Sequence, residues 1–132
     1  MRKTGVLAIT EPEAGSDVAQ GMRTTATKVD GGWILNGAKR WIGNATFSDY
    51  VAVYARDPED EQVKGFIVDT TAEGYTATLM ENRIAIRAVQ NADITLDNVF
   101  VPDSDKLEGA NSFKDINKVF KSARSTVCLL YT

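Results

Sequence analysis

The sequence contains no histidine and only one cysteine, Cys128. Without histidine, a Ser-His-Asp triad, a Cys-His pair and most zinc-binding spacings are excluded. A single cysteine cannot form an intramolecular disulfide, which is typical of a reducing, intracellular compartment. Any chemistry therefore depends on carboxylates, hydroxyls, backbone groups or a bound cofactor, and no metal site is predicted.

Long apolar runs and clusters of positive charge are also missing. No run approaches the roughly 18 apolar residues that cross a bilayer, and the first residues lack the apolar core of a signal peptide. Basic residues are scattered among acidic ones in a chain of formal net charge -3, which is not typical of nucleic-acid binding. We expect a soluble protein with neither a membrane nor a nucleic acid as partner.

The composition is that of one folded domain. At 132 residues, with 43% hydrophobic and 25% charged residues, the chain can enclose one core and is too short for two domains of ordinary size. Seven short apolar and β-branched runs between turn residues predict seven strands. These runs are residues 5–10, 23–30, 33–39, 50–56, 65–69, 75–80 and 92–101. They favour an all-β fold, an antiparallel β-barrel of two packed sheets.

Two local features add detail to this sheet. Asp30-Gly31-Gly32 predicts a tight hairpin between the second and third strands, because glycine readily adopts positive φ. Asp97-Asn98 interrupts the last strand and predicts a bulge or turn. The hairpin makes the second and third strands antiparallel neighbours.

A helical pattern replaces the strand pattern after residue 103. Ser112 is a suitable N-cap, and neither glycine nor proline ends the helix before Thr132, so we expect a truncated helix. The apolar residues at helical spacing are Phe113, Ile116, Val119 and Phe120. We therefore expect a β-domain over residues 1–103, followed over 104–132 by a linker and the start of a C-terminal helix.

The loop after the first strand, Thr10-Glu11-Pro12-Glu13-Ala14-Gly15-Ser16-Asp17, permits two interpretations. In the first interpretation, Pro12 and Gly15 serve simply as turn formers, and Ser16 or Asp17 serves as a helix cap. Alternatively, Gly15 lets the backbone approach a ligand, while exposed amides and the Ser16 hydroxyl hold a phosphate. The residues by themselves do not decide between the two.

Two segments in the same order and spacing resemble the paired signatures of the acyl-CoA dehydrogenase and acyl-CoA oxidase family. They are residues 8–17 and Asn36-Gly37-Ala38-Lys39-Arg40-Trp41-Ile42-Gly43-Asn44. Further similar strands extend the match over about residues 6–124. The resemblance implies the middle β-domain of a flavoprotein that desaturates acyl-CoA thioesters in fatty-acid β-oxidation. FAD is then the cofactor, and acyl-CoA the substrate of the full-length parent.

The resemblance also implies which residues bind the flavin. Thr10 is expected to hydrogen-bond the pyrimidine side of the ring, and Ser16 to contact both the pyrophosphate and the pantetheine of the acyl-CoA. Trp41 is expected to pack against the ring on the face opposite the substrate, although a lone tryptophan is more often an ordinary packing residue. The full set is Leu7, Ala8, Ile9, Thr10, Gly15, Ser16, Trp41, Ile42 and Gly43.

One position departs from the family pattern. Gly43 stands where members commonly carry a threonine whose hydroxyl binds flavin N5. Together with Thr46-Phe47, this segment resembles plant-type peroxisomal short-chain acyl-CoA oxidases, which are similar to glutaryl-CoA dehydrogenases. The pattern favours an oxidase parent in the peroxisome, although the chain ends in Leu130-Tyr131-Thr132 and not in a peroxisomal signal.

No residue of this chain is assigned as catalytic. In the family, a glutamate of the C-terminal helical domain removes the α-proton, and the resemblance gives that role to neither Glu11 nor Glu13. We therefore expect the fragment to be inert by itself, unless the missing domains lie on another chain. A second hypothesis is a β-barrel scaffold or interaction module that has lost flavin. It would self-associate through Phe113, Ile116, Val119, Phe120, Leu129 and Leu130.

Overall fold

The computed structural model describes residues 2–15 and 17–129, with side chains as far as residue 123. Seven strands and two α-helices lie in this part of the chain. The elements are β1 (Gly5–Ala8), α1 (Val18–Gly21), β2 (Thr25–Val29), β3 (Gly32–Gly43), β4 (Tyr50–Arg56), β5 (Val63–Asp69), β6 (Tyr75–Leu79), β7 (Asn91–Pro102), a 3-10 turn (Asp103–Asp105) and α2 (Phe113–Leu129). None of the described helices is long and apolar enough to cross a bilayer.

The strands form one curled sheet in the order β1-β4-β2-β3-β7-β6, with β5 also paired to β4. Strands β2 and β4 meet only through Thr25 and Arg56, so the sheet folds over at this pair. The predicted fold class, mostly β with one C-terminal helix, is confirmed. Two pairings were not foreseen: β1 runs parallel to β4, and the single residue pair between β2 and β4 is also parallel. Such a pair joins strands that are distant in sequence, and no turn signal reveals it.

The main core lies between the two halves of the folded sheet. Trp33 and Leu35 of β3 point into it from one side, and Val53 and Phe66 from the other, all with at most 6% of their surface exposed. The rings of Trp33 and Phe66 lie 5.3 Å apart between centroids in a tilted arrangement. Alternating inward side chains from both halves thus fill one continuous interior.

A second, smaller core joins α2 to the sheet. Ile116 is 1% exposed and packs in a cluster with Ile9, Tyr54 and Val63. The prediction that Ile116 belongs to an exposed self-association patch is therefore wrong, because the helix covers its own sheet. Phe113 and Phe120 are half-buried and Val119 is exposed; Leu130 and the Leu129 side chain lie outside the described residues.

Both predicted turn features are present. Val29 pairs with Gly32 across the hairpin, and of its glycines only Gly31 needs positive φ, at 76°. At the bulge, Asp97 and Asn98 of β7 together face Asn36 of β3. The Asn98 amide donates to Asn36 Oδ1 at 2.8 Å. The hairpin and the bulge fix the register of β3 between its two neighbours.

Candidate functional site

A groove of about 420 Å³ opens where β1, the following loop and the end of β3 meet the two helices. Six of the nine residues predicted to bind flavin line it: Leu7, Ile9, Thr10, Gly15, Trp41 and Ile42. The remaining walls come from α1 and α2, through Val18, Phe113 and Phe120. The two signature segments, about 30 residues apart in the sequence, thus lie side by side.

The other three predicted residues do not line the groove. Ala8 is fully buried and faces the main core, because successive side chains of β1 alternate between the faces of the sheet. Gly43 lies beside the loop before β7, where an added Cβ would sit 3.1 Å from Cγ1 of Val89. Ser16 lies outside the described residues. The flavin-binding role of all nine residues stays a prediction.

A second bulge presents Trp41 to the groove. The register between β3 and β7 shifts between Lys39 and Ile42, so that Arg40 and Trp41 together face Asp93. Trp41 has a φ of 64°, which a bulky residue rarely adopts, and 55% of its surface is exposed. The bulge turns the indole out of the sheet and towards the groove.

Arg40 supplies the contacts that hold this bulge. Its Nε and Nη2 donate to the two carboxylate oxygens of Asp93 at 3.0 and 3.1 Å. Its backbone amide donates to the Thr10 carbonyl at 2.8 Å, which ties the bulge to the loop after β1. Hydrogen bonding to Asp93 raises the pKa of Arg40, so this guanidinium remains charged.

An ion pair lies buried behind the groove. Nζ of Lys39 is 2.8 Å from Oε1 of Glu11, and the two side chains are 0% and 4% exposed. Burial by itself raises the pKa of Glu11, but hydrogen bonds from Lys39, Thr24 and Arg23 outweigh burial and lower the pKa below its ordinary value. Burial lowers the pKa of Lys39, and Glu11 partly offsets that effect. The Glu11 carboxylate is therefore hydrogen-bonded to buried groups of the protein itself.

The chemistry of the lining is apolar and aromatic. Thr10 carries the one hydroxyl among the described lining residues, and none of them carries an ionisable side chain. No group of three or more Cys, Asp or Glu among the described residues is arranged to hold a metal ion. The groove can therefore hold a flat apolar group and donate a hydrogen bond to it, but its own walls offer no acid or base.

Sequence reasoning missed the helical walls and the ion pair. The spacing of Phe113 and Phe120 indicated a shared helix face, but not that this face borders the loop after β1. Glu11 and Lys39 are 28 residues apart, and no periodicity marks them as partners. A signal existed only for Lys39, which continues the alternation of Trp33 and Leu35 and therefore places a charged residue at a position where the strand pattern requires a buried side chain.

This chain is similar in sequence to acyl-CoA dehydrogenases. The family model for the acyl-CoA dehydrogenase middle domain matches residues 6–99. Benzylmalonyl-CoA dehydrogenase of Aromatoleum aromaticum is 36% identical over 105 residues, which are 80% of this chain and 28% of that protein. Mitochondrial isovaleryl-CoA dehydrogenase of Arabidopsis thaliana is 36% identical over 107 residues, 79% of this chain and 26% of that protein.

A solved structure adds a three-dimensional match. Glutaryl-CoA dehydrogenase of Mycobacterium smegmatis, in complex with FADH2, is similar with a TM-score of 0.79 and 38% sequence identity. The match covers 84% of this chain and 28% of that one. The chain thus spans little more than a quarter of the length of each of these relatives.

Proposed function

Since the chain belongs to the acyl-CoA dehydrogenase family as a middle domain, we propose that it forms one wall of an FAD site in a larger acyl-CoA dehydrogenase or oxidase. The observation that carries this proposal is the exposed Trp41, held at positive φ beside Leu7 and Thr10. A strained aromatic side chain facing an apolar groove is suited to stack on a flat ring.

The groove fits part of the cofactor. Its aromatic and aliphatic walls suit the flavin ring system, and the Thr10 hydroxyl can hydrogen-bond a polar edge of that ring. The described lining offers no cation for the diphosphate, and the diphosphate contact of Ser16 stays a prediction from the sequence. The positions of Thr10 and Trp41 in the groove support the roles that the sequence predicts for these two residues.

Bound flavin would supply the hydride acceptor for α,β-desaturation of an acyl-CoA thioester. Trp41 and Ile42 would support one face of the ring and keep water from it, while Thr10 would orient the ring. Glu11 cannot remove a proton from a substrate, because Lys39 and two backbone amides surround its carboxylate. We therefore propose that the β-domain of residues 1–103, together with Phe113 and Phe120 of α2, acts as a binding wall and that the chain by itself is inert.

The choice between oxidase and dehydrogenase remains part of the proposal. Gly43 and the neighbouring Thr46-Phe47 favour an oxidase parent in the peroxisome. The relatives named above are dehydrogenases, of which one is mitochondrial and two are bacterial.

Titration with FAD tests the binding proposal. We expect the purified chain to quench FAD fluorescence saturably, and Trp41→Ala to weaken the affinity about five- to tenfold, because a stacking contact is lost. Phe47→Ala is the matched control, since Phe47 is a similarly exposed aromatic residue, at 59%, outside the groove. Its affinity should stay within about twofold of wild type.

Two results would contradict the proposal. Absence of saturable quenching in the wild-type chain would favour the scaffold hypothesis, especially if sedimentation shows concentration-dependent association. Turnover of short acyl-CoA thioesters above the rate of free flavin would disprove the inertness, and it would require a base that the groove does not show.

A further inference from the structure

We infer that the buried ion pair of Glu11 and Lys39 is a positioning device, which holds the loop carrying Thr10 against the bulge carrying Trp41. Neither charged side chain lines the groove, so both are positioning residues and not catalytic ones. This inference rests on the proposed function, because the proposed function places a flavin in the groove.

The pair joins three segments of the chain. Nζ of Lys39, on β3, donates to Glu11 Oε1 at 2.8 Å and to the Ile9 carbonyl at 3.1 Å. In turn, Glu11 accepts the amide of Arg23 at 2.7 Å and that of Thr24 at 3.0 Å. The loop after β1, the approach to β2 and the middle of β3 are thus fixed by four charge-assisted hydrogen bonds.

The same pair is coupled directly to the groove. Lys39 forms the last regular pair with β7, opposite Ile94, before the bulge begins, and Trp41 follows two residues later. The Arg40 amide, between them, donates to the Thr10 carbonyl. A displacement of Lys39 or of the loop would therefore change the distance between the Thr10 and Trp41 walls.

Stability by itself does not account for this arrangement. Transfer of two charges out of water is unfavourable, and an apolar pair of similar volume often gives an equally stable or more stable protein. Four hydrogen bonds with fixed directions, in contrast, hold three segments in one geometry. The functional demand that matches such a geometry is the adjacent groove.

The decisive variant removes both charges at once, as Glu11→Gln with Lys39→Met. The matched control is Asp57→Asn with Lys64→Met, which removes another largely buried ion pair, with an Nζ–Oδ2 distance of 2.5 Å, outside the groove. Three measurements are compared: FAD affinity, the visible circular dichroism of the bound flavin, and the hydrogen-exchange protection of the Arg40 amide.

We expect the double variant to fold while its FAD affinity falls at least tenfold, its flavin dichroism changes and Arg40 protection decreases. The control should keep all three properties. Wild-type affinity, dichroism and protection in the double variant would overturn the inference and leave the pair a merely structural feature. If the double variant does not fold, Lys39→Arg carries the same comparison, because it keeps a cation beside Glu11 and changes only the geometry of the hydrogen bonds.

Failure of the proposed function gives a different result. If the wild-type chain binds no FAD, the flavin assignment is lost, but the Arg40 amide still reports whether the pair holds the loop on the bulge. Unchanged protection of that amide in the charge-free variant would then refute the positioning role independently of any ligand.

Discussion

Trp41 owes its conformation to its neighbours. A bulky residue in the left-handed region costs about 1 kcal/mol or more, and a side chain that is 55% exposed recovers little of this by packing. Two sets of hydrogen bonds offset this cost. The Arg40 side chain donates to Asp93, and the Arg40 amide donates to the Thr10 carbonyl. A residue held in this way keeps its orientation when the groove is empty, which favours binding by preorganisation.

Glu11 should make acid stability depend on one buried carboxylate. Its pKa is lowered in the folded chain, so its contribution is complete above the ordinary value of 4.5 and is lost as pH falls through the lower folded value. Glu11→Gln should cost about 3 kcal/mol at pH 7, because Lys39 is left buried without its partner. The difference from wild type should shrink below about pH 4.5.

Urea unfolding between pH 7 and pH 3 measures this difference. Glu13→Gln is the control, since Glu13 is an exposed carboxylate in the same loop and should follow the wild-type curve. A Glu11→Gln deficit that stays constant over the whole pH range would show that this carboxylate is not the titrating group.

At the scale of the elements, local signals predicted most of the fold. The strand predicted over residues 50–56 is observed as Tyr50–Arg56, and the helix expected near Ser112 begins at Phe113. Strand β3 runs to Gly43 and not to Lys39, because the bulge at Arg40 interrupts the alternation while the following residues rejoin β7. The alternation of buried and exposed residues that predicts a strand ends at such a bulge, even where the strand itself continues.

The site was less predictable than the fold. Turn chemistry alone accounted for every residue of the Thr10–Asp17 loop, and only the family resemblance joined this loop to Trp41. The walls from Phe113 and Phe120 depend on where α2 docks, which no local pattern specifies. The Glu11–Lys39 pair likewise depends on tertiary contact between loop and strand, so the three-dimensional structure was needed to show it.

Docking of α2 should contribute measurably to stability. Ile116→Ala should cost about 2–4 kcal/mol, because Ile116 is 1% exposed and fills the second core. Val119→Ala, three residues along the same helix and 54% exposed, should change the unfolding free energy by less than about 0.5 kcal/mol. Chemical denaturation followed by circular dichroism distinguishes them, and equal losses would mean that the helix does not pack through Ile116.

On the scale of the whole molecule, two halves of one sheet share a single interior. The hydrogen-bonded link between β2 and β4 is one residue pair, Thr25 with Arg56. The Arg56 guanidinium strengthens this corner by donating to the Ala19 carbonyl at 2.8 Å and the Glu61 carbonyl at 2.9 Å. Because apolar side chains from both halves fill the shared interior, we expect them to supply most of the coupling between the halves.

Phe66 should control the cooperativity of the entire domain. It is fully buried, lies on β5 and packs against Trp33 on β3, so Phe66→Ala opens a cavity between the halves and should cost about 3–5 kcal/mol. Phe100→Ala, at a side chain 49% exposed, should cost about 1 kcal/mol or less.

Tryptophan fluorescence follows β3, while far-ultraviolet circular dichroism follows all strands. Because one core joins the halves, both signals should change in a single transition that moves to lower denaturant in Phe66→Ala. Separate transitions in the wild-type chain would instead mean that each half of the sheet is stable without the other.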